Sequence, residues 1–159
     1  MPKGADTGQR TVATNRRARF DYEIQERLEA GMVLTGSEVK SLRQGRGSLT
    51  EAFARVQDGE LWLENFHIPP YEQGVKRGYD PKRPRKLLLR RSEIDRLVGK
   101  TAEKGLALVP IRVYFTHGLA KVEIGVGRGK RAYEKRQATL EREHRREMER
   151  AASSRRKGA

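Results

Sequence analysis

The chain has 159 residues, 35 Lys and Arg against 21 Asp and Glu, no Cys and a formal charge of +14. That length suits one compact domain of about 100–130 residues plus tails. The lack of Cys excludes disulfides, thiolate zinc sites, iron–sulfur clusters and a cysteine nucleophile. With 35% apolar residues the chain can bury a modest core, so it is not wholly disordered. No segment approaches the roughly 20 apolar residues of a membrane span, and the N-terminus lacks the apolar run of a secretory signal. The expectation is a soluble, cytoplasmic protein with a polyanionic partner and no membrane association.

The charge is unevenly placed. Residues 1–19 carry +4, 20–72 carry −5, 73–100 carry +7, 101–127 carry +1 and 128–159 carry +7. A surface that only solubilises mixes its signs along the chain. Separate cationic segments predict a multi-point contact with phosphate. A membrane-binding tail would carry aromatic anchors, and the basic tail here has a single Tyr.

Residues 1–14 are polar and aperiodic, which predicts a mobile arm. Structure is expected to begin at Asn15-Arg16-Arg17-Ala18-Arg19. Between Phe20 and Leu34 the alternation of Tyr22 with Ile24 and of Met32 with Leu34 reads as a long strand, with a bend allowed at Gly31. A helix over Tyr22–Ala30 competes, because Glu, Gln, Arg and Leu favour helix. Gly36–Leu42 reads as a short helix capped by Ser37 and ended by Gly45 and Gly47. Two short strands follow, Ala52–Val56 and Leu61–Phe66, around a hairpin turn at Asp58-Gly59. Pro69-Pro70 breaks the pattern, and 71–85 reads as a basic loop. Lys86–Arg90 is a brief strand, and Ser92 is the expected cap of a helix with Ile94, Leu97 and Val98 on one face. Leu106–Phe115 and Leu119–Val126 read as strands joined at His117-Gly118, with Val122, Ile124 and Val126 on the buried face. The body at 15–127 is therefore expected to be mainly β: an OB-like small antiparallel barrel with two or three peripheral short helices.

Residues 128–159 differ. Gly125, Gly127 and Gly129 read as a hinge or a plain linker leaving the last strand. From Arg131 to Ala152 the residues favour helix, yet Leu140 and Met148 are nearly the only large apolar ones. A helix with no core face is marginal alone. The tail is expected to be disordered by itself and helical when bound to RNA, the alternative being a solvated charged helix with no role.

Tests for chemistry return little. His67, His117 and His144 lie in unrelated settings with no metal-ligand spacing. The Gly125–Lys130 run fails the Walker pattern, with Ile124 where Gly is needed and Arg131 where Ser or Thr is needed. Glu23, Glu26 and Glu29 have no nucleophile or metal near them in sequence. Glu29 and Glu38 could each orient an Arg or accept from a base or ribose, or could form a plain surface ion pair. Lys82, Arg83, Arg85 and Lys86 crowd one Pro-stiffened segment and read as a phosphate-neutralising loop. No catalytic residue, metal or cofactor is expected.

Five phrases taken together identify a family. They are Asn15-Arg-Arg-Ala-Arg19, Glu29-Ala-Gly31, Gly36-Ser-Glu-Val-Lys-Ser-Leu-Arg43, Asp80-Pro-Lys-Arg-Pro-Arg-Lys-Leu-Leu-Leu89 and Gly129-Lys-Arg-Ala-Tyr-Glu-Lys-Arg136. In this order they resemble SmpB, the SsrA (tmRNA)-binding protein of bacterial trans-translation. The resemblance implies an adaptor that grips the tRNA-like domain of tmRNA and enters the vacant decoding site of a stalled ribosome. Its partners would be tmRNA, the ribosome through small-subunit rRNA at the decoding centre, and, indirectly through tmRNA, elongation factor Tu and alanyl-tRNA synthetase. The RNA-binding body would use Asn15, Arg16, Arg17, Arg19, Glu29, Glu38, Lys40, Arg83, Arg85, Lys86 and Leu89. The tail would place Gly129, Lys130, Arg131, Tyr133, Glu134, Lys135, Arg136, Arg142 and Arg146 on the ribosome. Arg19 and Phe20 stand where His or other polar residues are common in the family. The competing reading is a generic basic OB-type ribosomal or tRNA-binding protein without selectivity for tmRNA.

Overall fold

The computed structural model describes residues 9–157, with the side chains of 103–104, 131–138 and 154–157 left aside. The element order is β1 (Gln9–Thr14), α1 (Ala18–Asp21), β2 (Tyr22–Met32), α2 (Gly36–Arg43), β3 (Phe53–Gln57), β4 (Glu60–Glu64), β5 (Arg85–Leu88), α3 (Arg91–Lys104), β6 (Ala107–Thr116), β7 (Leu119–Gly129) and α4 (Lys130–Lys157). The seven strands form one antiparallel sheet in the order β1-β6-β7-β2-β5-β4-β3. The sheet curls until β3 lies against β6. The expected barrel is thus barrel-like but not closed. The reason is β1: it occupies the free edge of β6 that closure by β3 would need. This also corrects the expected arm over 1–14, whose residues 9–14 are paired strand; residues 1–8 lie outside the described ones.

Inside the curl, Leu42, Leu49, Leu61, Leu63, Phe66, Ile68, Leu87, Leu97, Val113, Val122 and Ile124 are at most 1% exposed. β2 supplies Leu28, Ala30 and Met32 to this core and turns Arg27 and Glu29 outward, as period-2 alternation requires. β2 is a strand throughout, not the competing helix, and its irregularity falls between Ile24 and Glu26 rather than at Gly31. That bulge explains the glycines of β7. A Cβ on Gly127 would lie 2.2 Å from the Glu23 carbonyl oxygen, and one on Gly125 would lie 2.8 Å from Ile111 Cδ1. These glycines are demanded by close strand packing. The expected hinge or linker is instead a fully paired strand running straight into α4.

Helix ends also differ from expectation. α2 is capped by Thr35, whose Oγ1 accepts from the Glu38 amide while Glu38 Oε1 accepts from the Thr35 amide, a reciprocal capping box. Ser37 lies inside the helix. Likewise Ser92 lies within α3, where Arg90 is the N-cap and its amide donates to Glu93. α3 runs through Gly99 and stops at Gly105, whose φ of +63° suits glycine. Asp58-Gly59 and His117-Gly118 form their turns as expected, all four residues having positive φ.

Candidate nucleic-acid interface

Strand register defines one outward face on β5-β2-β7-β6-β1. One cross-strand row is Leu88, Gly31, Lys121, Tyr114 and Thr11; the next is Glu29, Glu123, Arg112 and Thr14. Arg27, two residues before Glu29, extends the face toward α1. α1 and the turn before it add Arg16, Arg17, Arg19 and Phe20.

These groups surround a cleft of about 660 Å³ lined by Thr14, Asn15, Arg16, Arg19, Phe20, Arg27, Ile111, Arg112 and Glu123. Asn15 sets its floor. Its amide nitrogen Nδ2 donates to the Pro110 carbonyl at 3.0 Å and its backbone N–H to Ile111 at 2.7 Å. Glu123 holds Arg27 at 3.5 Å and Arg112 at 3.7 Å, so both guanidinium groups stay on this face. Among the described residues, Arg16 and Arg19 have no side-chain partner, while Arg17 sits 3.7 Å from Asp21. Phe20 is 79% exposed, its aromatic ring largely open to solvent. Unpaired guanidinium groups beside a bare aromatic ring offer phosphate neutralisation and base stacking at one place. Phe20 was not among the expected site residues; its departure from the family's usual residue was the signal available.

Farther along the face, Tyr114 donates its hydroxyl to Glu29 across β7. Burial raises the Tyr114 pKa, and this hydrogen bond raises it further. The Arg112 guanidinium stacks 4.0 Å from the Tyr114 ring centroid. Leu88, 52% exposed, packs over Gly31, where a Cβ would lie 3.3 Å from Leu88 Cβ. Leu89, the expected RNA contact, packs against the core instead. The exposed leucine of this run is its middle member.

The basic loop behaves differently. Arg85 is 0% exposed and Glu38 is 1% exposed. Arg85 Nε donates to Glu38 Oε2 at 2.8 Å, and its Nη groups reach the carbonyls of Phe66 and Pro81. Arg83 donates to the other Glu38 oxygen at 2.6 Å. Burial pushes the Glu38 carboxyl up, but the bonds from Arg83, the Thr35 amide and Arg85 prevail and hold it below its ordinary range. Nearby, Tyr79 donates to the Ile68 carbonyl at 2.7 Å and Ser41 to Pro69 at 2.6 Å. Neither Glu38 nor Arg85 presents atoms to an RNA, which corrects both expectations. Glu38 does orient two arginines, one of the roles open to it. The other two cations of the 82–86 segment are paired as well: Lys82 with Glu51 at 3.6 Å and Lys86 with Glu60 at 3.0 Å. Lys40 lies over the Tyr71 ring at 5.6 Å, on the same end of the molecule.

The tail leaves from the outward face's α1 end. Gly129 pairs with Tyr22, and Lys130 Nζ donates to the Arg19 carbonyl at 2.8 Å. α4 then runs 28 residues, about 42 Å at 1.5 Å per residue. Its Leu140 and Met148 are 59% and 61% exposed, and Arg142 and Arg146 are exposed as well. The expected tail contacts Arg131, Tyr133, Glu134, Lys135 and Arg136 have side chains outside the described set. No described helix is long and apolar enough to cross a membrane, and no metal-binding cluster occurs among the described residues.

A curled antiparallel sheet with a cationic, aromatic-bearing outer face and a long basic helix defines an RNA-binding protein of OB-like form. The family model "SmpB protein" matches residues 12–154. An "SsrA-binding protein" of Salinispora arenicola is 58% identical over 158 residues, 99% of this chain and 98% of the relative. One from Desulforudis audaxviator is 58% identical over 144 residues, covering 91% and 94%. A solved chain described as "tmRNA-SmpB: a journey to the center of the bacterial ribosome" is 57% identical with a TM-score of 0.62, covering 74% of this chain and 82% of that one. The chain belongs to the SmpB family.

Proposed function

We propose that this chain is a tmRNA-binding adaptor of trans-translation, acting in the cytoplasm without catalysing a reaction. The observation that carries this reading is the outward sheet face, where Arg16, Arg19 and Phe20 stand open beside Asn15 while the other large basic cluster is compensated internally. Membership of the SmpB family supports tmRNA as the RNA and the ribosome as the second partner. Elongation factor Tu and alanyl-tRNA synthetase are met through tmRNA.

On this reading Arg16, Arg17, Arg19, Arg27 and Arg112 bind phosphates and fix the orientation of the RNA, while Glu29 and Asn15 read polar edges and Leu88 packs under an unstacked base. Phe20 stacks on a base. The tail works separately. Anchored by Lys130 on α1, α4 carries Tyr133, Glu134, Lys135, Arg136, Arg142 and Arg146 into the decoding centre and the empty mRNA channel. With Leu140 and Met148 bare, α4 has little tertiary support, so rRNA phosphate shifts its coil–helix equilibrium toward helix. Truncation before Tyr133 tests the division of labour. The truncated chain is expected to bind tmRNA within about threefold of the full chain and to support no peptide tagging in a reconstituted translation reaction. Parallel loss of both activities would contradict the reading.

A further inference from the structure

Glu29 and Glu123 stand directly opposite each other on β2 and β7. Like charges so placed repel. The structure separates them by partition. Glu123 is drawn to Arg27 and Arg112, at 3.5 and 3.7 Å. Glu29 is drawn the other way, with Oε2 accepting from the Tyr114 hydroxyl and Oε1 lying 3.9 Å from Lys121 Nζ. The two ends of this linkage differ in exposure. Tyr114 is 2% exposed, its ring covered by the Arg112 guanidinium, whereas the Glu29 side chain is 48% exposed. A surface glutamate ordinarily loses rotamer freedom when it engages a ligand. Here one oxygen is already fixed by a buried donor, and the other, 3.9 Å from Lys121 Nζ, belongs to a side chain still half exposed.

We propose that Tyr114 is a positioning residue for RNA recognition, holding one carboxylate oxygen of Glu29 so that the other accepts from an N–H or O–H donor of an RNA nucleotide. This rests on the reading that Glu29 touches RNA. The ligand group is a donor rather than a phosphate, because a carboxylate repels phosphate and can only accept. The contact therefore serves selectivity for one RNA more than overall affinity. Burial and the bond to Glu29 both raise the Tyr114 pKa, so the hydroxyl stays protonated and donating through the physiological range.

A double-mutant cycle tests the proposal, with labelled tmRNA and bulk tRNA as probes at near-physiological salt. Tyr114→Phe removes only the hydroxyl and keeps the ring beneath Arg112. It is expected to weaken tmRNA binding about fivefold to tenfold and to leave tRNA binding within about twofold. Glu29→Gln is expected to weaken tmRNA binding at least as much, and the double variant no further than Glu29→Gln alone. Glu29→Asp keeps the charge but shortens the reach to Tyr114, and the same loss is expected, which keeps the test independent of how stable Tyr114→Phe proves. Additive losses, or full affinity in Tyr114→Phe or Glu29→Asp while Glu29→Gln is weak, would overturn the positioning role. Full affinity in Glu29→Gln would overturn the reading of Glu29 itself, and the role of Tyr114 with it.

Discussion

Two Arg–Glu constellations of this molecule look alike on paper and behave oppositely. In one, Glu38 joins Arg83 and Arg85 beneath α2, with Arg85 and Glu38 sealed from solvent and every polar atom matched. In the other, Glu123 spreads Arg27 and Arg112 across an open face beside Arg16 and Arg19, which have no side-chain partner among the described residues. The first spends its charge inside the fold, tying α2 to the loop that follows β4. The second leaves cationic atoms available to a polyanion. Burial, not composition, decides which arginines stay available to a partner and which only hold the fold.

Breaking the buried cluster should have the largest effect, and on stability alone. Arg85→Ala leaves Glu38 charged and without its buried partner, which should cost about 3–5 kcal/mol in urea unfolding. Replacing the pair together, as Arg85→Met with Glu38→Leu, should recover much of that loss, because no buried charge remains. If Arg85→Ala instead unfolds like the parent, the cluster is not a structural tie.

On the open face the effects should fall on binding. Phe20→Ala should weaken tmRNA binding by about 1–3 kcal/mol with an unchanged melting temperature, since the ring contacts little in the free protein. A melting point that drops in step with affinity would place the ring in the fold rather than on the RNA.

A finer contrast comes from salt. Arg16→Ala or Arg19→Ala should each lower the slope of log K against log salt by about 1. Lys82→Ala and Lys86→Ala should leave the slope nearly unchanged, because Glu51 and Glu60 already compensate those charges. Equal slopes for all four would erase the distinction between the two regions.

Acid should produce the smallest difference. The Glu38 carboxyl lies below its ordinary value near 4.5. Glu26 does too, lowered chiefly by the hydrogen bond from Lys100, with Arg96 adding to it. A carboxyl depressed on folding adds stability that is complete above the unfolded value and is lost as pH falls through the folded one. Unfolding free energy should therefore decline on acidification below about pH 4.5, and Glu38→Gln should flatten that decline. An equally steep decline in Glu38→Gln would assign the acid sensitivity to other carboxylates.

Much of the fold was legible because it obeys local rules. Val122, Ile124 and Val126 alternate along β7, and Asp58-Gly59 and His117-Gly118 mark their turns. β1 was hidden because Gln9–Thr14 is polar and sits on an edge, where only Ala13 is buried. Thr35 was passed over as a cap because its partner, Glu38, reads as a surface charge until its burial is known. The same blindness made Arg85 look like a phosphate ligand: its partner Glu38 lies 47 residues away, and nothing local reports that distance. Leu88 rather than Leu89 is the exposed leucine, which the run of three could not show because it carries no alternation. Asn15, Arg16, Arg19 and Glu29 do share the outward face, brought together by register between strands far apart in the chain.

On the proposed function, this face selects tmRNA rather than merely attracting polyanions. Competition measures it directly, with labelled tmRNA held by the full chain at near-physiological salt and challenged with a large excess of bulk tRNA. Poor displacement of tmRNA by tRNA is the expected result. Even displacement would contradict it and would mean that phosphate neutralisation alone explains the binding.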